Sequence, residues 1–216
     1  SGRLPRIEAE LGLTRPLRVL ELGAGCGLLG LGLAATCGAE VLLTESGAAL
    51  DGDDDETSLT WLERNVEENR ATVEQRGGRV HTARLAWGAE DDMAAVHASF
   101  DDGFDLVVAS DVLYDSVRYP ELWATLEAFA GTSAAARADA DEEDDEGRLA
   151  RAEVNACAIL GYQVRNGAER RFGAESDEFA VVRADLHDER AAASGRNPTG
   201  KTVAYVTRRG GSGGEC

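Results

Sequence analysis

Two apolar runs separated by a glycine-rich turn open the organised part of the chain. Residues 17–22 (LRVLEL) are short and nearly continuously apolar, which predicts a strand entering a buried sheet. Residues 28–37 (LLGLGLAATC) are long and compact enough for a buried helix, which Gly38 ends. Residues 39–45 (AEVLLTE) give the next strand. Strand, glycine turn, helix, strand is the opening of a doubly wound α/β fold, whose right-handed crossovers put helices on the sheet faces. Ahead of it, residues 6–13 (RIEAELGL) suit a short helical turn, broken by Thr14, Arg15 and Pro16.

The alternation continues past Glu45. Residues 51–57 (DGDDDET) read as a solvated loop, followed by a helix over 58–71 capped by Thr57 or Ser58. Leu59, Leu62, Val66 and Asn69 fall on roughly one side of it. Strands are predicted at 79–87, 104–110, 156–165, 179–186 and 201–208. A short helix is predicted at 90–99, and a second runs from Pro120, which suits a first helical turn, to about Ala130. A charged helix is expected over 167–178 and a loop over 188–200. Residues 132–148 are acidic and of low complexity, and are expected to be a disordered insertion; 209–216 read as a flexible tail. The expectation is one α/β domain over 1–208, Rossmann-like, with a seven-strand, mostly parallel sheet and helices on both faces.

Composition narrows the partners. Lys and Arg total 22 against 40 Asp and Glu, a formal net charge of -18. Such a body repels a phosphate backbone, so no nucleic-acid partner is expected and a basic protein or amine is easier to attract. Hydrophobic residues make up 43% of the 216, enough for one sizeable core. No stretch is long and apolar enough to span a membrane and no signal peptide is visible, so a cytoplasmic location, the nucleus also admitted, and a monomer are expected. The four cysteines (Cys26, Cys37, Cys157, Cys216) and three histidines show no metal-ligand spacing, so no metal is predicted. Cys26 is read as a small buried residue and Arg165 as an ion-pair brace.

Candidate chemistry gathers at the strand ends. Gly23, Gly25 and Gly27 stand where a strand turns into a helix, which allows unusual backbone angles and close approach of a ligand to the main chain. Counted from Gly25 and Gly27, Gly30 takes the third place of the dinucleotide fingerprint, so spacing alone leaves a nicotinamide cofactor open. Glu45 lies 22 residues after Gly23, where an acid of this architecture reaches ribose hydroxyls. Trp87 and Asp111 follow strands on the same, carboxyl, edge of the sheet. Trp87 is either an adenine neighbour or a core aromatic.

The stretches VLELGAGCGLLGLGLA (19–34), LLTE (42–45), LERNVEENR (62–70), LAWG (85–88) and FDLVVASDVLYDSVRYPELWATL (104–126), with a weaker YQVR (162–165), resemble the seven-strand S-adenosylmethionine-dependent methyltransferases. More narrowly they resemble methyltransferase family 16, the protein-lysine methyltransferases. The resemblance implies S-adenosylmethionine as cofactor, S-adenosylhomocysteine as product and a lysine of a protein as acceptor. It implies that Glu21, Gly23 and Gly25 line the methionine part, that Glu45 holds the ribose and Trp87 lies near the adenine, and that Ala24 and Ser110 belong to the same cofactor site. It puts Asp111 and Tyr114, the ends of an Asp-x-x-Tyr motif, at the substrate channel in the catalytic role. Asn65 and Asn69 are expected to brace rather than catalyse. This sequence departs from the family in Glu45, where aspartate is commoner, in about eight extra residues after it, and in the acidic insertion. Relatives also carry a tryptophan-containing segment before the first strand; only 16 residues precede Leu17 here, none of them tryptophan. A methyltransferase of another acceptor, and a silent cofactor-binding scaffold, remain open as alternatives.

Overall fold

The computed structural model describes residues 15–50, 53–130, 157–163, 168–173, 176, 179–185 and 201–208. The first unit is β1 (Arg18–Leu22), α1 (Leu28–Cys37) and β2 (Glu40–Glu45). A two-stranded hairpin, β3 (Ala49–Leu50) and β4 (Asp53–Thr57), leads into α2 (Ser58–Gln75). β5 (Arg79–Arg84), α3 (Glu90–Ser99) and β6 (Leu106–Ser110) follow. A 3-10 turn at Ser116–Arg118 runs into α4 (Tyr119–Phe129), and then come β7 (Ala158–Gln163), β8 (Phe179–Asp185) and β9 (Lys201–Arg208).

Seven strands form one sheet in the order β5-β2-β1-β6-β7-β9-β8. The first five are parallel; β9 is antiparallel to both β7 and β8, between which it lies. The predicted mostly parallel α/β sheet is therefore present. Side chains alternate across it, as the strand period of two demands. Val19, Val41, Leu43 and Val108 pack on one face with Ala34 of α1 and with Leu62, Val66 and Val73 of α2. Leu20, Leu22, Leu42, Val107 and Ala109 pack on the other with Val96 of α3 and with Leu122, Leu126 and Phe129 of α4. Helices thus cover both faces, and the strand ends are left to carry chemistry. The amino edge is stitched by Asp105, which accepts from both Nη atoms of Arg15 at 2.7 and 2.9 Å and from the Arg18 backbone N–H at 2.8 Å.

Several boundaries move. The predicted loop at 51–57 is largely the strand β4. Asp51–Gly52, the pair between its partners Leu50 and Asp53, is the dipeptide that two-residue hairpins favour. α2 extends to Gln75, and its cap is Thr57, which forms a reciprocal capping box with Thr60. The strand predicted over 79–87 stops at Arg84. Where a helix is expected over 167–178, the described residues show a 3-10 turn, Ala168–Arg171. Two residues past it stands Gly173, whose backbone is left-handed (φ 72°) and packed so closely on Trp123 that no side chain fits. The expectations for 6–13, 132–148, 188–200, 209–216 and Arg165 lie outside the described residues.

Candidate functional site

β1 runs straight into the turn that the glycines predicted. Gly23 and Gly25 hold left-handed angles, φ 62° and 57°, which a residue with a side chain adopts only at a cost. The Ala24 N–H donates to the Thr44 carbonyl at 2.9 Å, tying the turn to the end of β2. A side chain added at Gly25 would meet no atom within 4 Å, so the main chain there opens on free space. One added at Gly23 would meet Val112 Cγ1 at 3.1 Å and Trp87 Cζ2 at 3.2 Å. The turn is therefore walled on one side and open on the other.

Two carboxylates attend it differently. Glu45, at the end of β2, accepts a hydrogen bond from the Gly25 backbone N–H at 2.8 Å, and its second oxygen accepts from Ser46 N–H at 3.2 Å. A carboxylate has about four acceptor sites, so capacity remains. Glu21 is buried, at 2% exposure, and accepts from the Gly30 N–H in the first turn of α1 at 2.9 Å. Burial pushes its carboxyl up from 4.5 to about 7, against the Gly30 hydrogen bond, with the negative charge of Glu45 adding to the rise. A side chain at position 30 would collide with that carboxylate and with Leu43, so Gly30 is what lets Glu21 sit there.

The other wall comes from strand ends nearby. Trp87 is half-buried against the face of the core that α3 and α4 cover, and stands where a side chain on Gly23 would meet it. β6 ends at the exposed Ser110. Asp111 is the one non-glycine residue with positive φ (57°) among the described residues, and its N–H donates to the Gly161 carbonyl of β7 at 2.7 Å. Aspartate tolerates this region better than most residues, and such angles concentrate at functional sites. Val112 and Leu113 plunge into the core at 4% and 2% exposure, while Tyr114 stands out at 65%. The motif thus alternates outward, inward, inward, outward. The Tyr119 hydroxyl fixes it by donating to the Leu113 carbonyl at 3.0 Å.

The structure therefore brings Gly23, Trp87 and Val112 close together, and links Gly25 to Glu45. Glu21 lies beneath the helix start, tied to Gly30. Asn65 braces as expected, donating from Nδ2 to the Cys26 carbonyl at 3.2 Å, and Asn69 donates to the Asn65 carbonyl at 2.8 Å. Cys26 corrects its expectation: it is exposed, because the glycine turn carries it out of the core instead of into it. Sequence reasoning missed Arg118, at the end of the 3-10 turn, and Thr125 of α4, which reach the Trp87–Gly88 turn. Among the described residues, no three His, Cys, Asp or Glu side chains are grouped to hold a metal, and no helix is long and apolar enough to cross a membrane. A groove of about 560 Å³ between β5 and α3 is lined by none of the predicted site residues.

Comparison with known proteins adds to this geometry. A family model described as lysine methyltransferase matches residues 8–138. The chain is 36% identical over 110 residues to the protein N-lysine methyltransferase METTL21A of Danio rerio, covering 51% of this chain and 43% of that protein. It is 32% identical over 117 residues to EEF1A lysine methyltransferase 3 of Mus musculus, covering 54% and 42%. It thus spans less than half the length of these relatives. A solved rRNA methyltransferase, aviRa of Streptomyces viridochromogenes, is 14% identical, with a TM-score of 0.48 and coverage of 94% of this chain and 80% of that one. With more than half of its 216 residues inside the family match, the chain belongs to the lysine methyltransferase family.

Proposed function

We propose that this protein transfers a methyl group from S-adenosylmethionine to a lysine side chain of a protein substrate. The observation that carries the reading is the hydrogen bond between Gly25 and Glu45 beside open space at the turn. Such a cradle fits the cofactor: free main chain for close approach, and a carboxylate with acceptor sites to spare for a ribose diol. In this reading Glu45 holds the ribose, while Gly23, Ala24 and Gly25 line the methionine part with Glu21 beneath them. Trp87 walls the cleft, and Ser110 marks the strand end beside it.

When bound, the cofactor supplies a methyl group already electrophilic on a sulfonium sulfur. The task of the chain is then alignment and exclusion of water. A lysine amine ordinarily titrates near 10.4 and has to shed its proton before attack. Desolvation favours that loss, whereas a neighbouring carboxylate opposes it. Asp111 is accordingly an acceptor that orients the amine, and the strained backbone at its strand end supports that role. Tyr114 offers a ring face to the cationic amine. Its exposure leaves it available to an incoming chain, and the net charge of -18 favours a basic one.

The test has two arms. Calorimetry should detect binding of S-adenosylhomocysteine to the purified protein. Radiolabelled S-adenosylmethionine added with a lysate should then label protein bands, at lysine on mapping. Label only in small molecules would hand the activity to another acceptor class. Cofactor binding with no transfer would leave a silent scaffold.

A further inference from the structure

The turn after β5 is held from an unexpected direction. Gly88 N–H donates to Thr125 Oγ1 at 2.8 Å, and that hydroxyl donates to the Glu121 carbonyl at 2.8 Å. Thr125 is fully buried, so this relay has no water to replace it. Any side chain at Gly88 would press on Glu121 Cβ at 2.9 Å and Cγ at 3.0 Å, so the turn packs closely on the helix. One residue earlier in the turn, the Arg118 guanidinium lies over the Trp87 ring, 5.8 Å from its centroid. Arg118 Nε is also 3.8 Å from Glu121 Oε2, a buried oxygen with no hydrogen-bond partner. The far side of this arrangement is the close approach of Trp87 to Gly23.

We infer that Arg118 and Thr125 are positioning residues: they hold Trp87 against Gly23 and so set the width of the cleft above the glycine turn. The chain order gives the device a purpose. Arg118 ends the 3-10 turn that follows Tyr114, so the loop carrying Asp111 and Tyr114 is continuous with the clamp. This deepens the methyl-transfer reading and rests on it for the choice of ligand.

The test uses the full chain labelled with 5-fluorotryptophan. Fluorine NMR then reports Trp61, Trp87 and Trp123 separately, with Trp87→Phe assigning the resonance of interest. Arg118→Ala and Thr125→Val are expected to move the Trp87 resonance and leave the other two in place. Thr125→Ser, which keeps the hydroxyl, is expected to restore it. Calorimetry on the folded variant should show S-adenosylhomocysteine bound about twofold to fivefold more weakly by Arg118→Ala, the scale of one exposed cation–π contact. A Trp87 resonance that stays put in both variants overturns the clamp. So does one that moves while affinity stays at the wild-type value. If the wild type takes up no S-adenosylhomocysteine, the methyl-transfer reading falls, and the resonance alone decides whether the clamp exists.

Discussion

Glu21 makes the stability of this fold depend on pH in a direction opposite to that of most carboxylates. Its carboxyl is buried under the start of α1 and titrates near 7 instead of 4.5, chiefly because burial disfavours the charge. The folded state therefore binds the proton more tightly than the unfolded chain. The stabilisation is complete below about pH 4.5 and is lost as the pH climbs through about 7. The interval from 4.5 to about 7, at about 1.4 kcal/mol per tenfold change, corresponds to about 3 kcal/mol. Glu21→Gln keeps the shape and an oxygen for Gly30 N–H, and cannot ionise. At pH 5 variant and wild type should unfold at similar urea concentrations. By pH 8 the variant should be more stable, by up to about 3 kcal/mol. In the proposed function the same change removes a charge beneath the cationic end of the cofactor, so affinity for S-adenosylmethionine should fall as stability rises. Urea titrations of both proteins at pH 5, 6, 7 and 8 decide the matter. A stability difference that does not vary with pH would refute the reasoning, whatever its sign.

Three further outcomes are expected. Glu45→Gln should weaken S-adenosylhomocysteine binding by about tenfold or more, since hydrogen bonds to a charged acceptor are worth about 1.5–3 kcal/mol; calorimetry reads it, and an unchanged affinity removes Glu45 from the ribose site. Asp111→Ala and Asp111→Gly should both lose at least about tenfold in turnover, while only the glycine variant is relieved of up to about 1 kcal/mol of left-handed backbone strain. Equal melting temperatures with wild-type turnover would end the case for Asp111. Thr57→Ala should cost about 1 kcal/mol of stability by breaking the capping box, seen in urea unfolding, and leave cofactor affinity alone.

The elements that were legible in the sequence are those whose own side chains dictate them. α1 and β9 fall where their apolar runs predicted, at 28–37 and 201–208. The glycine turn was legible because left-handed backbone selects for glycine, and the place of Glu45 at the end of β2 because the apolar run before it marks the strand. The β3–β4 hairpin was not, since its aspartate-rich strand has no apolar alternation and only Asp51–Gly52 signals it. The position of β9 between β7 and β8 is a matter of long-range pairing, to which no local pattern speaks. The same holds for the clamp: Thr125 and Gly88 are 37 residues apart, and nothing along the chain announces that they meet. Cys26 misled because the lack of a partnered base in the sequence does not say which way a turn points its side chains.

The insertion of β9 sets an order of assembly. β7 and β8 share no ladder; β7 pairs with β6, β8 is joined to the sheet through β9, and Cys157 donates its backbone N–H to the Val206 carbonyl at 2.9 Å. A chain emerging from the ribosome completes its five parallel strands while β8 still waits for residues 201–208. Until they arrive, both β7 and β8 present unpaired edges, the condition under which nascent chains stick to one another. β9 therefore acts as the keystone that joins β8 to the rest of the sheet.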